Sequence, residues 1–146
     1  MNTTLFESEN LSIAYSPQHY YLHLKWKGFS EGKEFRDLGE GVLRAIATTK
    51  TTRILSDNTD WRAIAPNDHG WAANTWFPMA EARGVRKLAT VLSNDLFNRI
   101  AERSIEGMAD VNCMQIKNFQ SAEEAIAWLT GPETPTKCDT KDLMEN

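Results

Sequence analysis

The chain has 146 residues, 41% of them hydrophobic and 25% charged, the proportions of one ordinary globular domain. Disordered, fibrous and multi-domain organisations are excluded, and a core of this size stands without metal or disulfide. The net charge is -4, with Lys and Arg scattered along the chain, so no basic patch for phosphate contacts forms and no nucleic-acid partner is expected.

Leu11, Ile13 and Tyr15 alternate with smaller or polar residues, and Ser16-Pro17-Gln18-His19 supplies turn chemistry. Tyr20, Leu22, Leu24 and Trp26 then alternate again, which predicts an antiparallel hairpin. Tyr21, His23, Lys25 and Lys27 occupy the other face of its second strand, which is expected to be solvated or partly covered. Ser30 is placed to cap a helix over 31–48, where Phe35, Leu38, Val42 and Ile46 recur at helical spacing. Gly39 and Gly41 lower that helix's propensity by about 1 kcal/mol each, a cost that close approach to the sheet would justify.

A β-type run over 52–57 is expected to stop at a polar loop containing Asn58, Thr59 and Asp60. Pro66 suits a first helical turn, and Trp71, Thr75, Met79 and Ala82 step along one helical face, widened by Ala72, Trp76 and Ala80. Gly84 closes this helix, and Pro78 inside it predicts a kink or two short helices. Residues 85–92 carry apolar side chains on both faces, the pattern of a buried central strand. A third helix over 95–108 places Phe97, Ile100, Ala101 and Ser104 on one face, with Asn94 as its cap. A last strand is expected over 111–117. Ser121-Ala122-Glu123-Glu124 is a capping box for a final helix that turns Ala122, Ala125, Ile126 and Leu129 inward, stopped by Thr130-Gly131-Pro132.

This order predicts an α/β fold: a mixed sheet of about five strands, an N-terminal antiparallel hairpin followed by β-α repeats. Residues 1–131 form the single domain, and 132–146 are expected to be a polar, disordered tail. Ligands gather at the carboxyl ends of parallel strands, which selects the loop after Asp57, the Ser93-Asn94 segment and Lys117.

The opening residues lack the basic start and apolar core of a secretory signal, and no window approaches the ~18 apolar residues of a membrane span. A cytoplasmic location is the expectation. Cys113 and Cys138 do not make a disulfide framework, so reduced thiols are expected, neither placed as a nucleophile.

Trp61, Trp71, Trp76 and Phe77 are the most informative residues, because large aromatics with few polar neighbours either fill a core or wall an apolar pocket. A dimer surface and a membrane-interfacial patch are the other readings of the same set. If the set walls a pocket, Asp57 or His69 is expected to orient the polar end of the ligand. Asp57, Asp60, Asp68 and His69 also supply the side chains of a hard-metal site or an acid–base pair, although aspartates are equally ordinary at turns and helix starts. His69 has no second histidine at zinc-ligand spacing. Asp57, Ser93 and Lys117 occur in the order of a receiver-type phosphoacceptor site, but the turn after the hairpin offers only Ser30 and Glu31 instead of an acidic cluster.

Taken together, the hairpin Tyr20-Tyr21-Leu22-His23-Leu24 with Trp26 and Gly28, the strand end Ile54-Leu55-Ser56-Asp57 and the helix with Trp71 and Trp76-Phe77-Pro78 resemble the SpoIIAA-like, STAS/SEC14-related superfamily. Gly84-Val85-Arg86-Lys87-Leu88-Ala89, Phe119 and Ala122-Glu123-Glu124-Ala125 with Trp128-Leu129 extend the resemblance from about residue 11 to 129. It implies a small β-α sheet domain used in regulation or protein docking or, in some members, in binding an apolar ligand at a membrane surface. Anti-sigma-factor antagonists of this superfamily carry a phosphorylatable serine in an Asp-Ser-Ser-Gly stretch. Here Asn67-Asp68-His69-Gly70 stands nearest and has no serine, so that switch does not carry over.

The leading expectation is a non-enzymatic regulatory or ligand-binding domain, without a cofactor, that takes an apolar small molecule or a regulatory protein partner and forms a homodimer. Two alternatives stand beside it. One is a metal-dependent hydrolase or phosphoryl-transfer enzyme using Asp57 with Asp68 and His69. The other is a peripheral lipid-binding protein with weak membrane association.

Overall fold

Alternation along the N-terminal strands sets the architecture. The computed structural model describes residues 2–132 and residue 138, and these form a six-stranded sheet in the order β1-β2-β3-β4-β5-β6. The strands are β1 (Thr3–Glu7), β2 (Leu11–Ser16), β3 (Tyr21–Ser30), β4 (Arg53–Ile64), β5 (Lys87–Val91) and β6 (Gln115–Phe119). The helices are α1 (Gly32–Thr49), α2 (Pro66–Trp71), α3 (Phe77–Ala82), α4 (Leu96–Met108) and α5 (Ala122–Leu129), and a π-helical turn, Ala72–Trp76, joins α2 to α3. β1, β2 and β3 pair antiparallel, and β3 through β6 pair parallel, so the mixed α/β sheet is the one the sequence predicts. The expected disordered tail falls outside the described residues except for Pro132 and Cys138.

Side chains of successive strand residues point to opposite faces, and the chain fills both. Leu22, Leu24, Trp26, Ile54 and Trp61 face the larger core, shared with Phe35, Val42 and Ile46 of α1 and with Trp76, Phe77 and Ile105. Tyr21, Leu55, Ala89 and Val91 face the other way, onto Ala125 and Leu129 of α5. Ser121 caps α5 as expected, its Oγ accepting the Glu124 N–H at 3.3 Å, the N-cap half of the capping box.

Several local expectations are corrected. β1 is an added edge strand whose five residues are all exposed, so no alternation marked it. β4 does not end at Asp57: Asn58, Thr59 and Asp60 belong to a 12-residue strand held along its length by β3. Ser30 is the last residue of β3 and caps nothing. The start of α1 is held instead by Asp68, whose Oδ2 accepts the Gly32 N–H at 3.0 Å while Arg36 Nε lies 3.7 Å from its Oδ1. Gly39 approaches the Trp71 and Trp76 rings, not the sheet, and Gly41 meets only the Arg44 side chain. The expectation of a kink or two short helices around Pro78 is met by the second form: α2 and α3 are separated by the π turn immediately before Pro78, so the missing proline N–H falls in the first turn of α3. β6 begins at Gln115, later than expected.

Two further corrections concern α4 and the cysteines. Asp95, not Asn94, caps α4, its Oδ1 accepting the Asn98 N–H at 2.9 Å. The helix also faces the opposite way from its apolar pattern: Asn98, Glu102 and Ile105 are buried, while Phe97 is 80% exposed and Ile100 58%. Cys113 and Cys138 are joined as a disulfide, with Cα atoms 5.9 Å apart, within the span such a bond requires. The expectation of reduced thiols is thus overturned.

Candidate functional site

Between the sheet, α1, the π turn and α4 lies a cavity of about 80 Å³. That is well above the ~10–15 Å³ one water needs and below the ~300 Å³ at which pockets for drug-sized ligands begin. Trp26, Phe35, Trp61, Trp71, Trp76 and Phe77 wall it, with Leu24, Ile64, Ala72, Leu88 and Ile105 between them. Trp26 and Trp61 stack with centroids 4.6 Å apart and planes 12° from parallel, and Phe35 meets Trp71 edge-on at 5.7 Å. The π turn positions Trp76, whose indole N–H donates to the Gly39 carbonyl at 2.8 Å. π turns recur at functional sites because the extra residue per turn re-aims side chains.

One end of the cavity is polar. Ser56 and Asn58 of β4, Thr90 of β5 and Glu102 and Glu106 of α4 line it. Glu102, 3% exposed, accepts the Ser93 N–H at Oε2 and the Asn98 side-chain amide at Oε1, both at 3.2 Å. Thr90 Oγ1 donates to Glu106 Oε1 at 2.9 Å. Burial pushes the Glu102 carboxyl up to about 7, and burial also raises Glu106. Neither carboxylate has an ion-pair partner among the described residues. Among the buried polar atoms without hydrogen-bond partners are Nε1 of the cavity-wall Trp61 and Oδ1 of Asn98, whose amide donates to Glu102.

Trp61, Trp71, Trp76 and Phe77 thus share one wall system, while Asp57 and His69 do not join them. Asp57 projects to the opposite face of the sheet from Ser56 and Asn58, and its Oδ1 accepts the Thr59 N–H at 3.1 Å. His69 places Nε2 3.2 Å from the Ile64 carbonyl oxygen, and Asp68 is taken up by Gly32 and Arg36. Among the described residues, no three His, Cys, Asp or Glu side chains converge in a metal-binding arrangement, and no helix is long and apolar enough to cross a membrane.

Sequence reading missed the polar end, although signals were present. Ser56 and Asn58 keep the period of two set by Ile54, and Asn98, Glu102 and Ile105 keep helical spacing. Trp61 also borders an open groove at the carboxyl ends of β3 and β4, with Lys27, Phe29, Asp60, Arg62 and Asn94, so one ring separates cavity from surface.

A family model described as SpoIIAA-like matches residues 21–130. No curated protein matches the chain. Among solved structures, an uncharacterized protein of the DUF3478 family with a SpoIIAA-like fold, from Shewanella loihica PV-4, superposes with a TM-score of 0.56 at 16% identity. The match covers 88% of this chain and 95% of that one, and shows a shared fold.

Proposed function

Since the chain belongs to the SpoIIAA-like family, we propose that it is a non-enzymatic binding domain whose aromatic cavity takes a compact apolar molecule. The observation that carries this reading is the cavity itself: six aromatic rings surround unfilled space beside the buried Glu102 and half-buried Glu106 carboxyls. A core built only for stability closes such space, because each unfilled volume forfeits packing energy. The polar end belongs to Glu102 and Glu106 in this reading, with Asp57 and His69 outside the ligand's reach.

Native mass spectrometry of gently purified protein tests it. The expected result is a non-covalent adduct that denaturation releases and that Ala72→Phe, which fills the cavity, no longer carries. An adduct retained by the filled variant would place the ligand elsewhere.

The outer face of α4 favours a second reading, peripheral attachment to an anionic membrane. Leu96, Phe97 and Ile100 are 60%, 80% and 58% exposed, and the exposed Arg103 flanks them, the arrangement of an interfacial helix. Co-sedimentation with phosphatidylserine vesicles that Phe97→Asp abolishes supports it. A dimer in light scattering that the same substitution dissolves would assign this face to a second copy.

A further inference from the structure

We propose that the indole of Trp61 is the gate of the cavity: the ring swings from its stack on Trp26 into the groove at the carboxyl ends of β3 and β4, and a ligand enters through the space it leaves. The inference rests on the cavity reading above and names the route by which the ligand arrives. Among the described residues, Trp61 alone lines both the cavity and the groove. Its backbone is fixed, since the carbonyl oxygen accepts the Ser93 hydroxyl at 2.6 Å and the Asn98 amide at 3.1 Å. Opening at this place is therefore a motion of the side chain.

Nothing polar holds that side chain in place. The Trp61 indole N–H is buried and donates to no acceptor, whereas that of Trp76 is anchored on the Gly39 carbonyl, so the Trp61 ring moves without breaking a hydrogen bond. An unpaired buried donor is costly, and opening returns it to water. The closed state is held against that cost by ring packing, with centroids 4.6 Å from Trp26 and 6.0 Å from Phe35. The β3 residue in register with Trp61 is Gly28, which sets no side chain against the ring, and β4 pairs with β5 only as far as Asp57. The groove in turn receives the swung ring: Phe29 there is 49% exposed, and Lys27 and Arg62 offer cations to a π face. Both positions thus have partners, which makes the ring a two-position element.

Two NMR measurements on the full chain test the gate. The first compares hydrogen exchange of the Trp61 and Trp76 indole N–H groups, which are 6% and 8% exposed as residues and differ in hydrogen bonding. Trp61 is expected to exchange about tenfold or more faster, because its opening sacrifices no hydrogen bond. The second follows the entry rate of dissolved xenon through exchange broadening at the cavity methyls of Leu24, Ile64, Leu88 and Ile105. Trp61→Leu, which removes the ring, is expected to speed entry about tenfold or more, the effect of lowering a barrier by one hydrogen bond's worth or more. Phe77→Leu, which shortens a wall ring away from the groove, should leave the rate nearly unchanged. The first measurement needs no variant, so it decides the matter even if Trp61→Leu fails to fold. Equal protection of the two N–H groups, or xenon entry that Trp61→Leu does not speed or that Phe77→Leu speeds as much, overturns the gate and leaves the cavity reading standing. Cavity methyls that never respond to xenon overturn the cavity reading, and the gate with it.

Discussion

The indole N–H of Trp76 reaches across to the carbonyl oxygen of Gly39 at 2.8 Å, tying the π turn to the middle of α1. The contact requires that residue 39 have no side chain, because a Cβ there would lie 2.7 Å from the Trp71 ring and 3.2 Å from that of Trp76. Glycine's helical cost is thereby exchanged for close packing of two tryptophans that also wall the cavity.

Gly39 and Gly41 of α1 should therefore respond oppositely to alanine. Gly39→Ala is expected to destabilise by about 1–3 kcal/mol, because overpacking against two buried rings exceeds the gain in helix propensity. Gly41→Ala meets only the end of the Arg44 side chain at 3.5 Å and should be neutral or stabilising by up to ~1 kcal/mol. Urea denaturation of the two variants checks this directly.

Glu81 organises the approach to β6. Its carboxylate accepts the backbone N–H groups of Asn112, Cys113 and Met114 at 2.9, 2.6 and 2.9 Å. Glu81→Ala leaves these donors without their charged acceptor and should cost on the order of 2–3 kcal/mol, with Glu81→Gln intermediate. Thermal unfolding followed by circular dichroism ranks the three proteins.

Glu102 makes stability depend on pH. Its carboxyl is raised by burial from the ordinary 4.5 to about 7, with Glu106 raising it further and Ser93, Asn58 and Arg99 pulling it down. The folded state therefore binds the proton more tightly than the unfolded one. The resulting stabilisation is complete below about 4.5 and is lost as pH rises through about 7, at most on the order of 3 kcal/mol. Glu106 acts in the same direction and His23, lowered by burial, in the opposite one, so the difference between wild type and Glu102→Gln isolates the contribution. Relative to wild type, Glu102→Gln should gain stability between pH 5 and 8. A constant difference across that range would contradict the account.

The sheet was legible where local chemistry and tertiary burial agree. Alternation at Leu22, Leu24 and Trp26 specified β3, the Ser121 box specified α5, and Gly84, at φ +102°, ends α3 as its position implied. The aromatic wall of the candidate cavity was legible for the same reason, since Trp61, Trp71, Trp76 and Phe77 had to pack against something. Its polar half was hidden because α4 inverts the usual rule: it buries Asn98 and Glu102, whose partners Ser93 and Trp61 come from elsewhere in the fold, and exposes Phe97. β4 misled similarly, since Ser56 and Asn58 satisfy each other through a 2.8 Å hydrogen bond that no spacing rule reveals.

Methyl-resolved NMR titration of the protein with dissolved xenon, a probe small enough for a cavity of about 80 Å³, tests the cavity most directly. The account predicts saturable shifts at Leu24, Ile64, Leu88 and Ile105, which line the cavity, with Leu55, Val91 and Leu129 on the α5 face unmoved, and loss of the response in Ala72→Phe. Shifts spread over both faces, or none at the cavity methyls, would contradict it.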